Sequence, residues 1–295
     1  MAIHRFILHN GRVREASHAG LYPGQLGLLA GWGVFSTLHV VDGGLFAWER
    51  HWTRMSRDAH LLNVPMPADP GQLEQDLLRL IEANGQQDCT LRIVVVRNGG
   101  GIWEGPSGGE PSDVIALTTD LKRWGDSVRL GIQPNARYTA GEFTTAKILS
   151  WAANLRWAER AYQQGFDEVI LLNERGRVAE CTSANIFAVF GDKVFTPPSS
   201  DGCLPGVTRE ILLSEIRLPG IQVVERGLTI EALHQADEVF ITSTTRELLA
   251  VREIAGSEGG RQLNRHGNVR ERLSEAFGHF IREDIARRPC AAMTA

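Results

Sequence analysis

Lys147 and Glu180 are the residues of this chain whose types and placement suggest covalent chemistry. A lysine kept neutral by burial can form a Schiff base with a carbonyl group. A carboxylate on a strand, as Glu180 is in Val178-Ala-Glu-Cys-Thr, can face a heterocycle nitrogen and keep it protonated, which turns the ring into an electron sink. Leu204-Pro-Gly-Val-Thr208 is a glycine turn feeding a helix N-terminus. Free N–H groups and the helix dipole suit such a place to a phosphate. Phe240-Ile-Thr-Ser243-Thr244-Thr245 reads as a strand ending in hydroxyls, which can also bind phosphate oxygens. Each feature has an ordinary structural explanation too. Lysines before helices are mostly solvated, strand glutamates mostly face water, many helices begin after Pro-Gly, and terminal Ser or Thr commonly caps a turn. The order of the features along the chain is what separates the two explanations.

That order is Arg54, Lys147, Glu180, Leu204-Pro-Gly-Val-Thr208 and Ser243-Thr244-Thr245. It resembles the class IV aminotransferase family, fold type IV of the pyridoxal-phosphate enzymes. The most specific pieces are Gly176-Arg-Val-Ala-Glu180-Cys-Thr-Ser-Ala-Asn185-Ile-Phe and Leu204-Pro-Gly-Val-Thr208-Arg, and the likeness extends over nearly the whole chain. The resemblance implies pyridoxal 5′-phosphate as the cofactor. Lys147 would hold it through a Schiff base and carry a proton between the substrate α-carbon and the cofactor. Glu180 would pair with the pyridine nitrogen, and Leu204 would pack on the ring. Arg54, the backbone at Val207 and Thr208, and the Thr244 hydroxyl would hold the phosphate, with Ser243 as a further contact. Phe35, Thr37, Arg92 and Thr245 are the implied substrate positions. The positive end of a helix and Arg54 are expected to lower the lysine pKa. The implied reaction passes an amino group from an amino acid or amine to a 2-oxo acid in a ping-pong cycle. The alternative is a lyase of the aminodeoxychorismate type, releasing pyruvate with the same lysine. The implied assembly is a homodimer with active sites near its interface.

Departures from the family pattern bear on the substrate. Branched-chain aminotransferases carry Tyr-x-Arg where this chain has Thr90-Leu91-Arg92, and a tyrosine where it has Ala152. D-amino acid aminotransferases hold the substrate carboxylate with an Arg-x-His in the loop that here reads Gly99-Gly-Gly-Ile102-Trp103-Glu104. The spacing Lys147-x-x-Ser150 to Asn154-Leu155 is nearer to the D-enzyme and lyase branch. Lyases share the pair matched by Ser36-Thr37 and the Glu180-Cys181 start, whereas Ser243-Thr244-Thr245 resembles an aminotransferase feature. Arg92, Arg97 and Arg246 are the candidate partners for a substrate carboxylate. The loop Gly99 to Gly109 is expected to reach toward a neighbouring subunit's site.

The elements that must position these residues follow from periodicity. Strands are expected over 3–8, 35–41, 45–48, 90–96, 113–119, 128–133, 168–173 and 238–243, with two more between 178 and 195. Helices are expected over 49–62, 70–83, 148–164, from about Val207, and over about 267–287. In the 148–164 helix, Trp151, Leu155, Ala158 and Tyr162 form the apolar stripe. Lys147 then lies just ahead of that helix. This mixture predicts an α+β fold: a small N-terminal domain over 1–120, a linker over 121–127, and a larger cofactor-binding domain over 128–295.

The 295 residues are 43% hydrophobic and 22% charged, with a formal net charge of −4, as in an ordinary globular protein. That balance and the lack of a Lys/Arg-rich run argue against nucleic acid as a partner. No apolar run nears the roughly 20 residues of a membrane helix. The N-terminal segment reads as a strand and turn rather than a signal peptide. Cys89, Cys181, Cys203 and Cys290 are scattered with no Cys-x-x-Cys pair. Neither a metal site nor a disulfide framework is expected, and a cytoplasmic setting is.

Overall fold

The computed structural model describes residues 2–18, 20, 24–100, 109–256 and 268–291. Packing divides the chain into two compact units. The first holds Met1–Lys122, Ala146–Trp151 and Ile281–Ala295, and the second holds Arg123–Thr145 and Ala152–Phe280. The chain first passes from one to the other between Lys122 and Arg123, and residues 146–151 and 281–295 belong with the first unit.

The first unit is built on six strands: β1 (Ile3–His9), β2 (Arg12–Glu15), β3 (Gly33–Val41), β4 (Gly44–Leu45), β5 (Cys89–Arg97) and β6 (Ser112–Asp120). They pair in the order β2-β1-β6-β5-β3-β4, every pair antiparallel. Helices α1 (Leu26–Ala30), α2 (Trp48–Leu61) and α3 (Pro70–Ala83) accompany the sheet. Side chains alternate across a strand, so Val34, Leu38 and Val40 of β3 share one face. They pack with Met55 and Ala59 of α2 and with Leu77, Leu80 and Ile81 of α3. The start of α3 is written in the sequence. Asp69 accepts the N–H groups of Gly71 and Gln72, and Pro70 occupies the first helical position.

The second unit contains β7 (Ser127–Arg137), α4 (Ala152–Gln163), β8 (Glu168–Asn173), β9 (Val178–Cys181), β10 (Asn185–Phe190) and β11 (Lys193–Thr196). It continues with α5 (Val207–Ser214), β12 (Gln222–Glu225), α6 (Ile230–Gln235), β13 (Glu238–Ser243) and β14 (Glu247–Ile254). Its sheet runs β12-β11-β10-β13-β14-β7-β8-β9. The β11–β12, β14–β7 and β7–β8 pairs are parallel and the others antiparallel. Helix α7 (Val269–Ala286) follows, its first N–H groups donated to the Glu238 carboxylate from Val269 (2.8 Å) and Arg270 (3.2 Å). The mixture of sheets and helices is the α+β class expected.

Three expectations change. The helix after Lys147 begins at Ala152, not Ile148. Ile148 instead pairs with Val34 of β3 as an isolated antiparallel bridge, and residues 146–151 belong with the first unit. The expected stripe is also not the buried face of α4. Asn154 and Ala161 are buried, whereas Leu155 is 58% and Tyr162 78% exposed. Finally, the return strand expected over 45–48 ends at Leu45, because α2 already starts at Trp48.

Candidate active site

In the first unit, the peptide of Lys147 is held on both sides. Its N–H donates to Asp58 Oδ2 of α2 at 3.0 Å. Its carbonyl accepts the N–H of Phe35 at 3.1 Å, and the Leu149 N–H donates to the Gly33 carbonyl at 2.9 Å. The segment is therefore pinned to the edge of β3 by the Val34–Ile148 bridge and these flanking bonds. The Lys147 side chain lies over Phe35, with Nζ 4.5 Å from the ring centroid. No helix begins beside Lys147, so the positive helix end expected to act on it is five residues further on.

Helix α2 supplies a buried polar row. His51, Arg54 and Asp58 are all buried, at spacings that put them on one helix face. Arg54 donates from Nη2 to Ser36 Oγ at 2.9 Å, and Ser36 Oγ lies 2.8 Å from His51 Nδ1. Burial first, then the charges of Arg54, Lys147 and Arg288, holds His51 well below the ordinary histidine pKa. Burial and these charges both favour the neutral imidazole. Its Nδ1 can accept the Ser36 hydroxyl proton while Ser36 Oγ accepts from Arg54.

The three candidate carboxylate arginines separate clearly. Arg97 donates from Nε to the Gly99 carbonyl at 2.7 Å, also binds the Asn63 carbonyl, and stacks on Trp32. Arg246 is buried against Glu168 (Nη2 to Oε2, 3.1 Å), the Ser183 carbonyl (3.0 Å) and the Trp124 ring (3.7 Å to the centroid). Neither guanidinium is left for a substrate. Arg92 is different. It is half-buried on β5, opposite Thr37 of β3, and lies 4.2 Å from the Phe35 ring centroid. Among the described residues it has no carboxylate or carbonyl partner, and burial lowers its pKa. Phe35, Thr37, Arg92 and Lys147 therefore share one region of the first unit.

In the second unit, Glu180 is buried on β9. Its Oε1 accepts from Arg137 Nε (3.0 Å) and Nη2 (2.9 Å), and its Oε2 accepts the Leu204 N–H (3.0 Å). Arg137, at the end of β7, was not anticipated. Its only trace in the sequence is a basic residue at the end of a strand. Asn185 anchors the next turn by donating Nδ2 to the Leu204 carbonyl at 2.8 Å. A Cβ on Gly206 would lie 2.1 Å from Asn185 Oδ1, so that glycine is required for the close approach.

Helix α5 starts after Gly206, which offers no capping side chain, and Val207 and Thr208 are buried in its first turn. The first-turn N–H groups of a helix have no partner within it. Thr208 Oγ1 is also buried with no hydrogen-bond partner among the described residues. Ser243 ends β13, and Thr244 and Thr245 lie in the turn before β14, where the Arg246 N–H donates to Ser243 Oγ (3.2 Å) and Trp124 Nε1 to the Thr245 carbonyl (3.1 Å). The expected sites thus fall into two groups. Arg54, Lys147, Phe35, Thr37 and Arg92 lie in the first unit. Glu180, Leu204, Val207, Thr208, Ser243, Thr244 and Thr245 lie in the second. Most of the Gly99 to Gly109 loop lies outside the described residues.

Comparison with known proteins agrees with the resemblance in the sequence. Residues 33–254 match the family described as amino-transferase class IV. A protein of Methanocaldococcus jannaschii assigned as a branched-chain-amino-acid aminotransferase is 31% identical, over 91% of this chain and 93% of its own. The D-alanine aminotransferase of Bacillus licheniformis is 27% identical, over 86% of this chain and 90% of its own. The crystal structure of a branched-chain aminotransferase from Thermoproteus uzoniensis with norvaline superposes with a TM-score of 0.85. It is 26% identical and covers 95% of this chain and 96% of its own. The relatives named here are aminotransferases, which supports group transfer over the lyase alternative. The chain belongs to the class IV aminotransferases.

Proposed function

We propose that this aminotransferase works through Lys147, with Glu180 and the start of α5 holding the cofactor and Arg92 taking a carboxylate of the substrate. The transfer runs from an amino acid to a 2-oxo acid, and the cofactor is pyridoxal 5′-phosphate. The residues present fit that group. A phosphate oxygen would satisfy the orphaned Thr208 hydroxyl and the uncapped first-turn N–H groups of α5. Glu180 accepts N–H bonds from Arg137 and Leu204, which fix the carboxylate that would face a protonated ring nitrogen. When bound, the cofactor supplies the aldehyde that takes up the amino group and a ring that withdraws electrons from the substrate α-carbon.

The chain's own residues then have separable tasks. Lys147 would bind the cofactor and afterwards remove and return the proton at the substrate α-carbon. Arg137 and the Leu204 N–H orient the Glu180 carboxylate, which would hold the proton at the ring nitrogen. Ser36 orients Arg54, the proposed phosphate ligand. Arg92 would pair with a carboxylate of the amino or 2-oxo acid.

The observation that carries this reading is Lys147 itself. Its backbone is fixed on both sides, and its amine shares the Phe35 ring with a guanidinium that has no anionic partner among the described residues. The purified protein should absorb in the visible, and borohydride should fix the cofactor to Lys147, as peptide mass mapping would report. Lys147→Ala should be colourless and lose at least 10³-fold in transfer rate, the scale of a lost nucleophile and base. A yellow, active Lys147→Ala protein would refute the assignment. Following the visible band with L- and D-amino acids as donors would report handedness.

The proposed assembly is a homodimer, and the proposed compartment is the cytoplasm. The outward face of α4 supports the first, since Leu155 and Tyr162 are exposed there and Tyr138 and Phe143 of the same unit are 63% and 42% exposed. Four free cysteines are in keeping with a reducing compartment.

A further inference from the structure

We propose that Asp58 is a positioning residue for Lys147, fixing the peptide from which the reactive amine extends. Asp58 is 1% exposed. A carboxylate buried to that extent is costly unless hydrogen bonds compensate it. Its two oxygens have different partners. Oδ1 accepts from Nε of the neighbouring Arg57 at 2.9 Å. Oδ2 accepts the backbone N–H of Lys147 at 3.0 Å, across 89 positions of chain.

The location explains why this bond matters more than an ordinary tether. The segment 146–151 is attached to β3 by the Val34–Ile148 bridge and by the Phe35 to Lys147 and Leu149 to Gly33 bonds. Side chains alternate along such a segment, so a slip of one residue would turn Lys147 to the other side. An acceptor dedicated to the Lys147 N–H opposes that slip. The same helix holds β3 one turn earlier, where Arg54 binds Ser36 beside Phe35. Helix α2 therefore fixes Lys147 and Arg54 from one rigid element. Losing the Asp58 acceptor would let Nζ leave the Phe35 ring, 4.5 Å away. Misplacement of a reacting group by about 1 Å can cost on the order of 100-fold in rate.

The proposal rests on Lys147 being the lysine that captures the cofactor. Capture is a condensation: the free amine attacks the aldehyde carbon, a C=N bond replaces C=O, and one water leaves without redox change. The test uses the full chain stripped of cofactor. Two quantities are measured for wild type, Asp58→Leu and Asp58→Asn. One is the rate of pyridoxal 5′-phosphate capture, read in the visible and by borohydride fixation. The other is the affinity for pyridoxamine 5′-phosphate, which engages the phosphate and ring sites but needs no lysine. Asp58→Leu has the size of the natural residue without an acceptor. It should capture at least tenfold more slowly, with pyridoxamine phosphate affinity within threefold of wild type. Asp58→Asn retains an acceptor oxygen and should capture within about threefold.

Wild-type capture by Asp58→Leu overturns the proposal. So does a parallel loss of capture and pyridoxamine phosphate affinity, because that reports general damage. If Asp58→Leu does not fold by circular dichroism, Asp58→Asn decides: capture more than tenfold slower at unchanged pyridoxamine phosphate affinity overturns it. Borohydride fixation in Lys147→Ala would instead defeat the assignment of the lysine, a result distinct from any outcome at Asp58.

Discussion

At the scale of single residues, the groups that matter are distinguished by their partners more than by their types. Arg92, Arg97 and Arg246 are chemically identical, yet only Arg92 lacks an anion or carbonyl among the described residues. A charge-assisted bond is worth about 1.5–3 kcal/mol. Arg92→Gln should therefore raise KM for its carboxylate substrate about 10- to 100-fold, with kcat within about threefold. Steady-state kinetics with donor and acceptor varied separately would report which substrate it binds. An unchanged KM for both would remove Arg92 from the site. Arg92→Lys should restore little, since a lysine cannot reproduce the planar two-pronged contact.

At the scale of elements, the second unit's part of the proposed phosphate site depends on a turn. Asn185 at the start of β10 holds the Leu204 carbonyl, and Gly206 then passes so close to Asn185 Oδ1 that a methyl group has no room. The backbone angle at Gly206 is ordinary (φ −69), so the requirement is one of space alone. Gly206→Ala should force the turn outward, costing about 1–3 kcal/mol as an overpacked contact. The start of α5 moves with it. Pyridoxal 5′-phosphate affinity, measured by equilibrium dialysis, should fall at least tenfold while the far-ultraviolet spectrum is kept. A wild-type affinity would mean that the turn has slack and that the α5 start does not hold the phosphate tightly.

At the scale of the whole molecule, α4 turns Leu155 and Tyr162 of the expected stripe outward. Burying one large apolar side chain contributes about 1.5–3 kcal/mol. If a second copy covers this face, Leu155→Glu combined with Tyr162→Glu should weaken the dimer at least 100-fold, read by sedimentation at micromolar concentration. A dimer of unchanged affinity would place the interface elsewhere. The substituted positions are exposed within the chain, so the fold of the protomer should persist.

The sequence by itself determined the family, the α+β class and most elements. Alternating apolar residues mark β5 (Cys89–Arg97), and Asp69-Pro70 marks the start of α3, because both signals arise from contacts between near neighbours. It also named Lys147, Glu180 and the Leu204 to Thr208 turn, since their order carries the family likeness. Partnerships between distant positions were not legible. No local pattern says that Asp58 meets the Lys147 N–H, that Arg137 holds Glu180, or that Glu168 takes Arg246. The same limit misplaced the helix start. Helical spacing around Ile148 is a local signal, but pairing with Val34, more than a hundred residues earlier, decides its backbone. Hydrophobic periodicity likewise reveals that α4 has an apolar face without saying whether the chain's own core or something outside it meets that face. Local interactions choose the elements, and only the assembled fold decides which buried groups find one another.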